Sequence, residues 1–109
     1  MNYRFMRIIL FFDLPSITKK DHREYTKFVK HLKKNGFIMM QESVYTKLAL
    51  TPSVVDSTLN KIRENLPKDG CVSVLTITEN QFSSIEHMIG NFETDVINNM
   101  EKVIKLWIN

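Results

Sequence analysis

Asp13 is the first residue whose type and position could serve chemistry. It follows Ile8–Phe12, five apolar residues with β-branched and aromatic character that predict a strand buried on both faces. A strand fixes the position of a carboxylate at its end, while the loop that follows leaves the carboxylate open to a ligand. Aspartate is also a good turn residue, and on spacing alone Asp13-Leu14-Pro15 is more simply interpreted as the end of the strand.

The sequence lacks the common catalytic motifs. It has no glycine-rich phosphate loop, no His-x-x-x-His pair and no nucleophile elbow. The histidines His22, His31 and His87 lie at spacings that do not suit metal ligands, and His22 borders the apolar face of a helix, where we interpret it as partly buried. The single cysteine, Cys71, excludes an internal disulfide and a cysteine metal cluster, and we interpret it as a core residue.

A stripe of cations on one predicted helix is the second candidate site. Its members follow one another at intervals of three and four residues with no acid among them: Lys20, Arg23, Lys27, Lys30 and Lys34, with Lys19 beside them. Like charges at this spacing repel, so such a face costs helix stability unless a polyanion lies on it. A solvated outer face is the alternative, and the stripe alone does not decide between the two.

The overall charge and composition favour a polyanionic partner. The net charge is +3, but residues 1–50 carry ten Lys/Arg against four Asp/Glu, whereas residues 51–109 carry five against eight. Hydrophobic residues make up 43% and charged residues 25%, as is typical of a globular domain. No apolar run approaches the ~20 residues of a membrane span. With one cysteine, these features predict a cytoplasmic protein.

The hydrophobic pattern predicts the elements that position these residues. Strands are predicted at 3–13, 37–40, 43–50, 71–78 and 103–108, and helices at 18–35, 52–66 and 79–90, with 91–101 irregular. In the last helix, the residues predicted to face inward are Phe82, Ile85, Met88 and Ile89.

This order predicts an α+β fold of the ferredoxin-like β-α-β-β-α-β type, with an added C-terminal short helix and strand. Residues 1–90 form the ferredoxin-like domain, and 91–109 form an extension of the same domain. Both main helices cover one face of the sheet, yet the strands at 8–12 and 71–77 are apolar on both faces. A second copy packed sheet to sheet, giving a homodimer, is the simplest cover, and a ligand or another protein is the alternative.

Two motifs in this order resemble those of a known family. Phe11-Phe12-Asp13-Leu14-Pro15 closes the first strand, and after the basic helix the chain reads Asn-Gly-Phe-Ile-Met-Met-Gln-Glu-Ser-Val-Tyr over residues 35–45. The segment Leu75–Phe82 extends the likeness over nearly the whole chain. The arrangement is similar to that of the CRISPR-associated protein two family, in the variant found beside the single-protein RNA-guided effector.

The resemblance implies a homodimeric adaptation subunit that bridges dimers of the CRISPR integrase and binds double-stranded DNA with spacer-like ends. The residues expected to bind DNA are those of the basic helix: Lys19, Lys20, Arg23, Lys27, Lys30 and Lys34. The last predicted strand, with Leu106 and Trp107, is a candidate for strand addition to the integrase or the other protomer. A plain edge strand of its own sheet is the alternative.

Members of the family have also been described as metal-dependent endonucleases, which implies that Asp13 is both catalytic residue and metal ligand. One aspartate is too little for Mg²⁺, but the two Asp13 of a dimer could share one ion against a phosphate. No other acid, histidine or lysine lies nearby in the sequence to act as a general base. The alternatives to the scaffold are therefore a stand-alone magnesium-dependent endonuclease cutting RNA or DNA, and a ferredoxin-like regulatory dimer that binds a small ligand.

Overall fold

A computed structural model of the chain describes residues 5–90. The elements are β1 (Met6–Asp13), α1 (Lys19–Lys34), β2 (Ile38–Gln41), β3 (Val44–Ala49), α2 (Pro52–Arg63), β4 (Cys71–Thr78) and α3 (Glu79–Ser83). The predicted irregular segment at 91–101 and the predicted strand at 103–108, with Leu106 and Trp107, lie outside the described residues. None of the described helices is long and apolar enough to cross a membrane.

The four strands form one antiparallel sheet in the order β2-β3-β1-β4. The first strand is therefore central, with β3 on one side and β4 on the other. Its last residue, Asp13, pairs with Cys71 of β4, and Phe11 pairs with Val44 of β3. This sheet order, with α1 and α2 between the strands in sequence, confirms the predicted α+β arrangement.

The main core lies between the sheet and the two long helices. Alternate residues of β1, Ile8, Leu10 and Phe12, are buried there, because successive side chains of a strand point to opposite faces. The helices contribute buried side chains at helical spacing, namely Phe28 and Leu32 from α1 and Val55 and Ile62 from α2. Both helices begin at a threonine cap, Thr18 and Thr51.

The other face of the sheet, which we call the open face, is covered at one end only. Phe82 of α3 is buried against it, together with the half-buried Ile9 and Ile77. Farther along, Phe11 is 45% exposed and Leu75 is 52% exposed. The prediction that β1 is buried on both faces is therefore wrong for a single chain, because α3 is too short to cover the whole face.

A buried ion pair fastens α3 to the open face. Arg7 of β1 is fully buried, and its Nε and Nη2 donate to the two carboxylate oxygens of Glu79 at 2.8 and 2.6 Å. Its guanidinium also lies 4.3 Å from the ring centroid of Phe82. The charge of an arginine near the start of an apolar strand is thereby compensated by the first turn of the helix that covers it, although its buried Nη1 has no hydrogen-bond partner among the described residues.

Two further predictions are wrong. The last helix ends at Ser83 rather than near Gly90, so Met88 and Ile89 are 84% and 97% exposed instead of facing inward. Because the chain is no longer helical after Ser83, a spacing of three or four residues does not place these side chains on the face that packs against the sheet. Cys71 is exposed rather than in the core, because its pairing with Asp13 places it on the open face at the uncovered end of the sheet.

Candidate functional site

Asp13 lies at the uncovered end of the central strand and is exposed. Cys71 is its partner on β4. On the other side, the amide of Phe12 donates to the carbonyl oxygen of Ser43 at 3.0 Å, which extends the β1–β3 pairing past Val44. There the chain turns, with Ser43 at a φ of +63°, and Glu42 lies in the turn between β2 and β3.

A cleft of about 410 Å³ opens at this point. Its walls come from the β1–α1 loop, from α1 and from the β2–β3 turn, and the lining residues are Asp13, Leu14, Ser16, His22, Tyr25, Thr26, Glu42 and Ser43. The fold therefore brings a second carboxylate and an imidazole to the Asp13 cleft, although neither lies near Asp13 in the sequence. The pairing of β1 with β3 brings the β2–β3 turn and Glu42 to the cleft, and the first turns of α1 bring His22 to it.

His22 is held in place by the loop that follows β1. Its Nε2 lies 3.0 Å from the carbonyl oxygen of Ser16, and because a carbonyl only accepts, Nε2 carries the hydrogen and donates. The residue is exposed, so its interpretation as a partly buried helix residue is wrong. The ring reaches back to the loop instead of toward the core.

A capping box fixes the same loop to the start of α1. The amides of Ile17 and Thr18 donate to Oδ2 of Asp21 at 3.1 and 3.0 Å, and the Asp21 amide donates to Oγ1 of Thr18 at 3.0 Å. The bond from the Thr18 backbone lowers the pKa of the Asp21 carboxyl below its usual 3.8, since it stabilises the charged form. The geometry between Asp13 and α1 is thus set by short local bonds.

The loop before β4 lies in close contact with the backbone of Asp13. Gly70 has a φ of +98°, and a Cβ there would lie 2.6 Å from the carbonyl oxygen of Asp13. That distance is too short for any side chain, so only glycine lets the two backbones approach this closely.

A single chain does not complete a metal site within the part that the structure describes. Among residues 5–90, no three His, Cys, Asp or Glu side chains lie close enough together to hold a metal ion. Mg²⁺ takes six oxygen ligands and commonly keeps several waters. Asp13 and Glu42 fit the oxygen chemistry of this ion, but they need further donors, such as a second protomer and a phosphate.

The cations of α1 are exposed as the helical spacing predicts. Lys19, Lys20, Arg23, Lys27, Lys30 and Lys34 are all exposed, and we call them the α1 cationic face. The two acids of α1, Asp21 and Glu24, line the same recess as Lys20, and Glu24 also lines a second recess with Lys27 and Glu64. Acidic side chains therefore border the α1 cationic face beside Lys20 and Lys27.

A shallow groove runs beside the middle of this face. It is lined by His22, Arg23, Thr26, Lys27 and Lys30. Lys20 is separate and lines a recess of about 320 Å³ with Tyr25 and Asp69. Three of the six predicted DNA-binding residues thus share one groove, whereas Lys19 and Lys34 are not among the residues that line it.

Lys47 is a partly buried cation that was not among the predicted site residues. It is half-buried on β3, and its ammonium donates to Oγ1 of Thr58 on α2 at 3.1 Å. Burial lowers the pKa of Lys47 below 10.5, and the positive charge of Lys61 adds to the effect. His31 joins α1 to α2 nearby, because its Nε2 donates to the Lys61 carbonyl oxygen at 3.0 Å.

Comparison with known proteins agrees with this architecture. The family model described as "CRISPR associated protein Cas2" matches residues 6–85. A protein of Treponema denticola is 46% identical over 101 residues, which is 93% of this chain and all of that protein. One of Streptococcus mutans is 40% identical over 93% of each chain. Both are named CRISPR-associated endoribonuclease Cas2.

A solved structure shares the fold at much lower sequence identity. The structure described as "Crystal structure of cas2" superimposes with a TM-score of 0.59 at 15% identity, over 83% of this chain and 92% of that one. The predicted family resemblance is confirmed by the match of the family model and by the identity to these relatives. The chain belongs to the CRISPR associated protein Cas2 family.

Proposed function

We propose that the chain acts in CRISPR adaptation as a homodimeric scaffold that binds double-stranded DNA with spacer-like ends together with the CRISPR integrase. The observation that carries this proposal is the α1 cationic face, whose six cations are all exposed on the outer side of one helix. A two-fold axis would repeat this face and double the length of duplex that it contacts. The cytoplasm, where such DNA is found, is the proposed location.

Lysine and arginine side chains at this spacing would contact phosphates rather than bases. Contacts of this kind position a duplex without reading its sequence. They also release counterions, so the affinity falls steeply as the salt concentration rises. Binding that is strong at low salt and indifferent to sequence is the signature of this face.

The uncovered part of the open face supports the homodimer. Phe11 and Leu75 are large apolar side chains, about half exposed, and Phe11 lies two residues before Asp13 on the same face of β1. Covering them with a second copy would remove apolar surface from water. It would also bring the two Asp13 residues toward one another. Leu106 and Trp107 remain the proposed contacts to the integrase or to the second protomer.

The second candidate is hydrolysis of phosphodiester bonds at Asp13, with RNA or DNA as substrate. The cleft that joins Asp13, Glu42 and His22 supports it, and the relatives are named endoribonucleases. The Asp13 carboxylates of two protomers would hold one Mg²⁺. When bound, this ion supplies charge stabilisation for a phosphoryl oxygen and a more acidic water. The chain itself supplies the walls of the cleft, which would position the nucleic acid, and the hydrogen-bonded β1–α1 loop, which fixes the position of Asp13.

Duplex binding across a salt series, with and without the integrase, tests the scaffold. The variant Lys27→Glu/Lys30→Glu should lose binding and show a shallower salt dependence. The variant Lys61→Glu/Arg63→Glu makes the same change of charge on exposed residues of α2 and is the matched control. Equal loss in both variants would mean that only net charge matters. No loss in either would favour a small-ligand regulator.

Asp13→Ala separates the scaffold from the nuclease. Duplex binding and spacer acquisition should survive this change, because the α1 cationic face is intact. Any cleavage of RNA or DNA should disappear. If acquisition stops while binding persists, the chemistry at Asp13 is part of the adaptation role itself.

A further inference from the structure

The N-terminal end of the α1 cationic face is bordered by acids. Lys20 lines a recess of about 320 Å³, and the other charged side chains that line it are Lys68, Asp21, Glu24 and Asp69. Three carboxylates therefore face two ammonium groups, so negative charge exceeds positive charge in this recess. A phosphate that approaches Lys20 is attracted by one side chain and repelled by its neighbours.

The backbone amides at the start of α1 are also occupied. The start of a helix commonly attracts a phosphate, because N–H groups point outward there and the dipole is positive. In this chain the amides of Ile17 and Thr18 instead donate to Oδ2 of Asp21. A carboxylate of the chain itself is thus already bound at the end of α1 where a phosphate would ordinarily bind.

The C-terminal end of the α1 cationic face has the opposite character. The sequence contains no acidic residue from Tyr25 to Gln41. Within this stretch Lys30, Lys33 and Lys34 are all exposed, and we call these three residues the terminal cluster. Residues three or four apart on a helix are neighbours, so Lys30 lies beside both of the others. Three positive charges therefore gather over the last turns of the helix.

The terminal cluster is not needed to end the helix. The carbonyl oxygen of Lys33 accepts from the amide of Gly36 at 3.1 Å, and that of Leu32 accepts from the amide of Phe37 at 3.0 Å. Within residues 5–90, the side chains of the terminal cluster form no hydrogen bond or ion pair. Their ammonium groups are therefore available to a ligand.

A partly buried cation adds to the positive charge at this end. The ammonium of Lys47 would lie 3.4 Å from a Cβ at Gly36, which places it beside the turn that follows α1. It donates to Oγ1 of Thr58, and no carboxylate within the described part of the chain forms an ion pair with it. Because a partly buried charge is screened less by salt than an exposed one, Lys47 strengthens the attraction of this end for an anion.

We infer that the terminal cluster is the main phosphate-binding site of α1, so that the backbone of a DNA duplex lies on the C-terminal half of the helix and does not contact Lys20. The inference rests on the proposed binding of double-stranded DNA and names the part of the surface that carries it. It adds Lys33, which is not among the predicted DNA-binding residues. It also reverses the usual preference of a phosphate for the start of a helix, because both charge and amide occupancy favour the other end.

The salt dependence of duplex binding tests this inference. Lys33→Gln/Lys34→Gln and Lys19→Gln/Lys20→Gln each remove two adjacent exposed lysines from the same helix, so they are matched in charge. Each lost phosphate contact lowers the slope of log affinity against log salt concentration by about 0.9. The first variant should therefore bind at least about tenfold more weakly at low salt, with a slope lower by about two for each protomer on the duplex. The second should keep the wild-type slope.

Two further variants separate charge from local structure. Lys33→Arg/Lys34→Arg keeps the charges and should retain the wild-type slope. Glu24→Gln/Asp69→Asn neutralises two acids of the Lys20 recess and leaves the capping box intact. It should raise affinity severalfold and steepen the slope, because the duplex can then also contact the N-terminal end of the face. No gain would contradict the conclusion that acids keep the duplex from Lys20.

The remaining outcomes distinguish this inference from the proposed function. Measurements are made with a fluorescent duplex, both without and with the integrase. If both lysine pairs lower the slope equally, or if Lys19→Gln/Lys20→Gln lowers it more, the inference is overturned while the proposed DNA binding stands. If the wild-type protein binds no duplex under either condition, the proposed function fails and the inference fails with it.

Discussion

At the scale of single residues, Gly70 determines where Asp13 can lie. Its backbone passes so close to the Asp13 carbonyl that a Cβ would lie 2.6 Å from that oxygen. Gly90 has a similar φ, +109° against +98°, but a Cβ there would meet nothing within 4 Å. A side chain at Gly90 would therefore introduce backbone strain alone, whereas one at Gly70 would introduce strain and also displace the Asp13 backbone.

We expect Gly90→Ala to cost about 1 kcal/mol of unfolding free energy through strain alone. Gly70→Ala should cost more, because the Asp13 and Leu14 backbone must also move. Only Gly70→Ala should reduce any cleavage that depends on Asp13. Denaturant titration and an RNA cleavage assay on both variants check this. Equal effects in the two variants would show that the close approach does not position Asp13.

Arg7 is the other residue whose surroundings were unexpected. Glu79→Ala removes the acceptor of both bonds from a guanidinium that is 0% exposed. A buried charge left without its partner should cost about 3 kcal/mol of unfolding free energy. Glu86→Ala, at an exposed position, should change stability by less than about 0.5 kcal/mol. A Glu79→Ala cost as small as that of the control would mean that Arg7 regains solvent.

At the scale of elements, the start of α1 links stability to pH. The lowered pKa of Asp21 means that its carboxylate stabilises the fold above its unfolded value of 3.8. That stabilisation is lost as the pH falls through the folded pKa. We therefore expect Asp21→Asn to be less stable than wild type at neutral pH, with a gap that narrows below pH 3.8. Unfolding free energies measured over this range check it, and a constant gap would contradict it.

Local patterns in the sequence predicted some parts of the site and not others. The end of a buried strand at Asp13 and the acid-free stripe of α1 follow from residue periodicity within one element. The neighbours Glu42 and His22 depend on strand register and on the path of a loop, which periodicity does not encode. The pairing of Arg7 could not be predicted for the same reason, because its partner Glu79 lies 72 residues away in the sequence.

At the scale of the whole molecule, the open face predicts self-association. Phe11→Glu should weaken the proposed dimer by at least about tenfold, since a two-fold dimer buries two copies and covering the exposed half of each contributes about 0.7–1.5 kcal/mol. Val74→Glu, on the opposite face of β4 and 39% exposed, should leave association unchanged. Sedimentation equilibrium measures both. Equal behaviour of the two variants would exclude this face as the contact.

The exposed thiol of Cys71 has a practical consequence. It is the one cysteine in the sequence, and it pairs directly with Asp13 on the neighbouring strand. A spin label attached there would report from beside the candidate catalytic carboxylate without any engineered substitution. In a two-fold dimer joined through the open face, a pair of such labels would give a short, single distance that shifts when Mg²⁺ or a nucleic acid enters between the protomers.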